Sequence, residues 1–144
     1  MSFALDVNIL LYASDTVGPL HARARSFLDA CLRGQETVVL GWPTLMSYLR
    51  IATHPAVFGR PLTPADAMAN VETLLRLPHV QVVAETDGFW ATYRSLKADA
   101  PIAGNLVPDA HLAALLRQQG VMVLYTHDQN FRTFGFLDVR DPFV

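Results

Sequence analysis

The 144-residue sequence predicts an α/β fold with a mainly parallel central sheet. Short apolar runs rich in β-branched residues alternate with segments of helical periodicity, which is typical of parallel strands joined by crossover helices. Hydrophobic residues make up 51% of the chain and charged residues 17%, a balance that excludes intrinsic disorder. The length fits one domain over residues 1–144 with its own core.

The first half of the chain is predicted to contain two strands and three helical stretches. They are, in order, a strand in SFALD, a helical stretch ILLYA, a helix over 19–33, a strand over 37–40 and a helix from Pro43 to about Thr53. Gly34 is placed to end the second of these helices. The run TVVL is short and β-branched, as expected of a buried strand. Pro43 suits a first helical turn because its missing N–H would have no partner there.

The second half continues the alternation. It is predicted to hold a helix from Thr63 to about Leu77, a strand over 80–84, a helix over 87–99, a loop APIAGNLVP, a helix from Asp109 to Gln119, a strand over 121–125 and a last short strand in LDVRDPFV. Thr63 offers a capping hydroxyl, with proline at the next position and an acid two residues later. Gly120 is placed to end the last long helix.

Several classes of protein are excluded by composition. The single cysteine, Cys31, rules out a disulfide scaffold and a multi-cysteine zinc site. No apolar run approaches the length of a membrane span, and the first residues carry Asp6 and lack a basic start, so a soluble, cytoplasmic protein is expected. The net charge of −2 is unlike that of most nucleic-acid-binding proteins.

Aspartate is the informative residue type, since ten of the 13 acidic residues are aspartates. Asp6 ends the first predicted strand, Asp128 follows the last strong strand, and Asp109 opens a helix after a loop. Ligands of parallel sheets bind beyond the carboxyl ends of the strands, so all three are predicted to face one cleft. Converging carboxylates repel each other unless a cation lies between them, and oxygen ligands suit Mg²⁺ or Mn²⁺. A metal site for phosphodiester hydrolysis is one interpretation.

The residues leave two other interpretations open. Asp6 and Asp109 are also suitable helix N-caps, and Asp128 is a suitable turn residue. A phosphatase-like hydrolase with Asp6 as its nucleophile is a further possibility. It is weakened by Asn8, which stands where a second aspartate would be expected.

Four segments carry a resemblance to a known family over essentially the whole chain. They are ALDVNILLYA, LRIATHPAVF with PLTPADA after it, GNLVPDAHLAALLRQQG, and YTHDQNFRTFGFL. In this order and spacing they resemble PIN-domain proteins and, more narrowly, the VapC-type ribonuclease toxins of bacterial toxin–antitoxin pairs. The resemblance implies a three-layer α/β/α sandwich and Mg²⁺- or Mn²⁺-dependent endoribonuclease activity on RNA of the tRNA or rRNA class. It also implies a cognate VapB-type antitoxin and a homodimer.

The resemblance also assigns site residues. Asp6, Asp109 and Asp128 match three of the family's acids and are its implied catalytic and metal-binding residues. Asn8 matches the polar residue that often accompanies the first acid, and Thr126 matches the hydroxyl that often precedes the last.

Two positions depart from the family pattern. Ser47 stands where a glutamate is usual, and Asn130 stands where many members have a further aspartate. Both leave a neutral group near the site, which favours an alternative: a degenerate, non-catalytic PIN domain that binds RNA or a protein. Arg50 shares a helical face with Ser47 and is predicted to contact a substrate phosphate, to hold Asp109 or Asp6, or to form a structural salt bridge.

The aromatic residues favour packing over function. The candidates for core or dimer-interface packing are Trp42, Trp90, Phe27, Phe58 and the cluster Phe131, Phe134 and Phe136. His111 lies near Asp109 on the same helix but is predicted to be a polar surface residue.

Overall fold

The computed structural model describes residues 1–144 and has a five-stranded, fully parallel sheet at its centre. The strands are β1 (Ser2–Leu5), β2 (Thr37–Gly41), β3 (Val80–Val83), β4 (Val123–Tyr125) and β5 (Asp138–Arg140). Their order across the sheet is β3-β2-β1-β4-β5. The chain moves to one side of β1 through β2 and β3, then to the other through β4 and β5. The carboxyl end of β1 therefore lies at the switch point where parallel sheets bind their ligands.

Helices cover both faces of the sheet, which confirms the predicted three-layer α/β/α sandwich. They are α1 (Val7–Ser14), α2 (His21–Arg33), α3 (Trp42–Ala52), α4 (Pro64–Arg76), α5 (Phe89–Ser95) and α6 (Leu106–Gln118), with 3₁₀ turns at Leu96–Ala98 and Gln129–Thr133. None of these helices has the length and apolar character needed to cross a membrane.

Strand side chains alternate between two apolar cores, one on each face. Phe3 and Leu5 of β1 enter the core formed with α1 to α4, whereas Ala4 between them enters the core formed with α6. This alternation follows from the two-residue period of a strand. Because both faces are buried, the central strands are apolar at nearly every position.

Among the predicted boundaries that differ from the structure, three have a clear physical cause. Helix α6 begins at Leu106, within the predicted loop, because Pro108 falls in the first turn, where no intrahelical N–H donor is required. Strand β4 begins at Val123, since the Val121 amide donates to Leu116 O and closes the preceding helix. The helix predicted over 87–99 begins only after Gly88, which has a φ of +83°, and it changes to a 3₁₀ turn at Leu96.

Candidate active site

Asp6 lies at the carboxyl end of β1 and is the N-cap of α1. The strand ends at Leu5, one residue earlier than predicted. Asp6 is thus a helix N-cap, as one of the predicted alternatives had it, and it also lies at the switch point of the sheet. Its Oδ1 accepts a hydrogen bond from the Val7 amide at 2.7 Å, and its Oδ2 accepts one from the Thr126 hydroxyl at 2.8 Å. With the residue only 8% exposed, both carboxylate oxygens are held in fixed directions.

Thr126 connects the end of β4 to the end of β1. The parallel register pairs Leu5 with Tyr125, so the residue after each strand lies beside the other. The Thr126 side chain is fully buried, and its Oγ1 accepts from Asn8 Nδ2 at 3.0 Å and from the Asp128 amide at 2.9 Å. The Thr126 hydroxyl therefore positions both the side chain of Asp6 and the backbone of Asp128.

Asp128 is half-buried and caps the 3₁₀ turn Gln129–Thr133. Its Oδ1 accepts a hydrogen bond from the Asn130 amide at 2.9 Å. Asn8 supports the same loop, since its Oδ1 accepts from the His127 amide at 3.3 Å. Asp128 is therefore a turn residue, as one of the predicted alternatives had it. Its charge also raises the pKa of Asp6 and of Asp109.

Asp109 reaches the site from α6, where it is the fourth helical residue rather than the first. Together with Asp6 and Ser47 it lines a cleft between the start of α1, the start of α3 and α6. The structure therefore brings two of the three predicted acids, Asp6 and Asp109, into one cleft. Ser47, which stands where a glutamate is usual in the family, lines the same cleft.

The electrostatics join all three acids. Burial raises the pKa of Asp109 to about 7, and the charges of Asp128 and Asp6 add to the increase. The pKa of Asp6 is also raised, mainly by burial, against the lowering effect of the hydrogen bonds from Thr126 and Val7. These shifts have the sign expected where like charges converge in a partly dry site. No group of three or more His, Cys, Asp or Glu side chains forms a ready ligand set.

Comparison with known proteins identifies the family. The PIN domain family model matches residues 3–137. The chain belongs to the PIN-domain family. Within that family it is similar to the curated VapC proteins: it is 42% identical to Ribonuclease VapC48 of Mycobacterium tuberculosis over 143 residues, or 99% of each chain. Ribonuclease VapC43 of the same species is 32% identical over 138 residues, 96% of this chain and 93% of that one.

Solved structures share the fold at lower identity. The sarcin-ricin loop cleaving toxin VapC20 of Mycobacterium tuberculosis aligns with a TM-score of 0.69 and 17% identity, over 96% of this chain and 98% of that one. VapBC2 of Rickettsia felis, bound to a promoter DNA fragment, aligns with a TM-score of 0.69 and 14% identity over 98% of each chain. These matches confirm the predicted PIN-type architecture.

Of the remaining predicted site residues, Ser47, Asn130 and Arg50, only Ser47 lines this VapC-type cleft. Asn130 is an exposed residue of the 3₁₀ turn that Asp128 caps and does not line the cleft. Arg50 is exposed and forms no ion pair, so neither the predicted hold on Asp109 or Asp6 nor the structural salt bridge is present. A contact from Arg50 to a substrate phosphate stays a prediction.

Two residues near the acids, Tyr12 and His127, were not predicted from the sequence to interact with them. Burial raises the pKa of Tyr12, and the charges of Asp141, Asp128 and Asp6 raise it further. Its place on α1 four residues after Asn8 was a usable signal, because residues at that spacing share a helical face. His127 donates or accepts at Nδ1 toward Asp141 at 2.7 Å and packs against Tyr12, an arrangement that no local pattern revealed.

Proposed function

We propose that this VapC-family chain is a divalent-metal-dependent endoribonuclease that acts as a toxin and is neutralised by a VapB-type antitoxin. The observation that supports the proposal is that Asp6 and Asp109 line one cleft at the switch point of the sheet, with the charge of Asp128 raising the pKa of both. The names of the curated relatives described above, Ribonuclease VapC48 and Ribonuclease VapC43, support it. We further propose a cytoplasmic homodimer acting on RNA of the tRNA or rRNA class.

The residues present fit Mg²⁺ or Mn²⁺. The acids supply only hard oxygen donors, and their mutual repulsion is relieved by a cation. When bound, the metal lowers the pKa of an attacking water and offsets charge on the leaving oxygen. With three acids and a neutral Ser47, water and phosphate oxygens would complete the coordination shell.

The chain's own groups orient the reactants. The Asp6 carboxylate is held by Thr126 and Val7, so it enters the reaction already aligned. Asp109 lines the same cleft from α6, and it would hold the metal in its ionised form, after loss of the proton that its raised pKa favours near neutrality. Arg50, exposed and without an acidic partner, remains available to a substrate phosphate.

Metal removal tests the activity. The purified protein is expected to cut structured RNA in Mn²⁺ or Mg²⁺ and to stop when a chelator is added, because the acids alone supply no activated water. Gel analysis of a tRNA and rRNA mixture measures the effect, and restored cutting after excess Mn²⁺ excludes loss of the fold. Unchanged cutting in chelator would contradict the metal-dependent mechanism.

The second candidate is a non-catalytic PIN domain that binds RNA or a protein. Ser47 on the cleft wall and the exposed Asn130 favour it, because each leaves the site with less negative charge. Titration calorimetry separates the two functions. A ribonuclease of this type takes up Mn²⁺ at millimolar concentrations or below, whereas a binding module retains RNA affinity without measurable uptake.

Thr126→Val is expected to lower cleavage by about 10- to 100-fold, the usual effect of losing a group that orients a metal ligand. Valine has the shape of threonine but cannot donate to Asp6 Oδ2 or accept from Asn8 and Asp128. Loss of the hydrogen bond to its charged form raises the pKa of Asp6 further, so the pH–rate profile should move to higher pH.

Thr126→Ser is the matched control, because it keeps the hydroxyl. It should retain most of the activity and the original pH profile. A valine variant that loses stability but keeps both Mn²⁺ affinity and the pH profile would show that Thr126 acts only in the fold.

A further inference from the structure

An exposed aromatic patch lies beside the active-site cleft and has no role in the proposed reaction. We call it the aromatic patch; its residues are Glu85, Phe89, Trp90, Tyr93, Val107 and His111. Trp90 is 68% exposed, so it does not pack in the core; packing at a dimer interface, the other predicted alternative, stays a prediction. Phe89 and Tyr93, four residues apart on α5, pack against the core beneath α6, and Trp90 therefore points outward.

The ring geometry leaves one aromatic face free. The rings of Trp90 and Tyr93 are stacked, with centroids 5.6 Å apart and planes inclined by 18°. Tyr93 in turn packs against Phe89 at 6.2 Å, and Phe89 meets His111 edge-on at 5.4 Å. Tyr93 occupies one face of the indole and fixes its orientation. The other face is presented to solvent at a defined angle.

The aromatic patch is continuous with the cleft through His111. This side chain lines both the patch and the cleft that holds Asp6 and Asp109. It stands two residues after Asp109 on α6, and its Nε2 is hydrogen-bonded to Glu85. A polymer that leaves the cleft on this side passes His111 and enters the patch.

The chemistry of the aromatic patch fits a base better than a phosphate. Exposed aromatic rings bind unpaired nucleobases by stacking, and this holds for every base because each has a π-face. The Glu85 carboxylate at the edge repels phosphate, but it accepts hydrogen bonds from an exocyclic amino group such as cytosine N4. A ring platform with one carboxylate beside it is therefore a base-binding site.

We propose that an unpaired nucleobase next to the scissile phosphate stacks on Trp90 and that Glu85 favours a base carrying an amino group. The inference rests on the proposed function and extends it by naming a substrate subsite. Such a subsite would favour RNA in which the nucleotide beside the cleaved bond lies in a loop or bulge, because a paired and stacked base has no free face.

The test uses short single-stranded oligocytidylate and oligouridylate, in chelator so that metal-dependent cutting does not intervene. In a Trp42→Phe background Trp90 is the one remaining tryptophan, and stacking is read as quenching of its fluorescence. We expect quenching, and tighter binding of oligocytidylate than of oligouridylate. Glu85→Ala should remove that difference. Absence of quenching up to millimolar oligonucleotide would overturn the subsite, and equal affinities would remove Glu85 from it.

Trp90→Ala is the deciding variant, measured by anisotropy of labelled oligocytidylate. It should weaken binding by about 10- to 100-fold, the usual effect of losing one base–aromatic stack, and Trp90→Phe should recover most of it. Met68→Ala, which truncates an exposed apolar side chain on α4, is the matched control and should bind as wild type. An alanine variant that binds equally well contradicts the proposal.

Two further measurements keep the proposals separate. Sedimentation of Trp90→Ala shows whether a second copy of the chain covers the aromatic patch: dissociation of a dimer with unchanged RNA affinity per chain would overturn the subsite. RNA binding through Trp90 without any cutting in Mn²⁺ would refute the ribonuclease function alone. Cutting by Trp90→Ala with unchanged KM and kcat would refute the subsite alone.

Discussion

Asp6→Asn is expected to lower RNA cleavage by on the order of a thousandfold, more than the loss of an outer-shell group such as Thr126. Asparagine keeps the size of the side chain and removes the charge. Its carbonyl still caps α1, since asparagine and aspartate are equally good N-caps. What disappears is the anionic oxygen that Thr126 holds in place for a cation.

The fold should survive this change. The asparagine amide cannot accept from both Val7 and Thr126, which costs about 1 kcal/mol for one hydrogen bond. Removal of a buried charge works in the opposite direction, because burial is the main cause of the raised pKa of Asp6. Thermal unfolding should therefore stay near that of the wild type, and single-turnover cleavage in Mn²⁺ measures the catalytic loss.

Asp99→Asn provides the matched control. Asp99 is an exposed aspartate after the 3₁₀ turn Leu96–Ala98, and it neither lines the cleft nor caps a neighbouring helix through its side chain. This variant should cut at the wild-type rate. If Asp6→Asn also cuts at that rate, the three-aspartate mechanism is wrong.

Much of this site could be predicted because its residues follow local signals. Asp6 comes directly after the apolar run SFAL and Asp128 shortly after the run VMVLY, and any parallel sheet gathers such positions at one edge. The strand order could not be predicted in the same way. It places β1 beside β4 and brings Thr126 to Asp6 across 120 positions, a contact that depends on the packing of the whole chain.

The errors have equally physical causes. Pro108 suggested a loop before Asp109, yet a proline in the first turn is compatible with a helix, so Asp109 lies inside α6. Trp90 was predicted to pack in the core or at a dimer interface, and the core alternative is wrong. Phe89 and Tyr93 occupy the buried face of α5, and the next position along the helix is rotated away from it. Hydrophobicity alone does not decide which of the three aromatic residues of α5, Phe89, Trp90 and Tyr93, remains exposed.

Asp109→Asn is expected to abolish cleavage and yet to stabilise the metal-free protein at alkaline pH. The folded state raises the pKa of Asp109 from its ordinary value of 3.8 to about 7. The folded protein therefore binds a proton more tightly than the unfolded chain does. The stabilising contribution of that proton is fully present below about pH 4 and is lost as the pH rises through 7. Asparagine does not titrate and escapes this loss.

The two proteins should therefore diverge in stability between about pH 4 and pH 8. Asp109 is only half-buried, so solvent screening reduces the difference at pH 8 to roughly 1–2 kcal/mol in favour of the asparagine variant. Urea unfolding in chelator at pH 5 and pH 8 measures it. The gap should be small at the lower pH and larger at the higher one.

Adding Mn²⁺ at pH 8 should reverse the order. A cation that binds only the folded state stabilises it by mass action, and this gain requires the ionised Asp109 that the variant lacks. Wild type should then unfold at higher urea than Asp109→Asn, which should not respond to the metal. Such a reversal of the stability order would show that Asp109 binds the cation. If Asp109 mattered only for packing, the asparagine variant would be less stable than wild type in both conditions. A variant less stable than wild type in chelator at pH 8 would contradict the electrostatic account of the site.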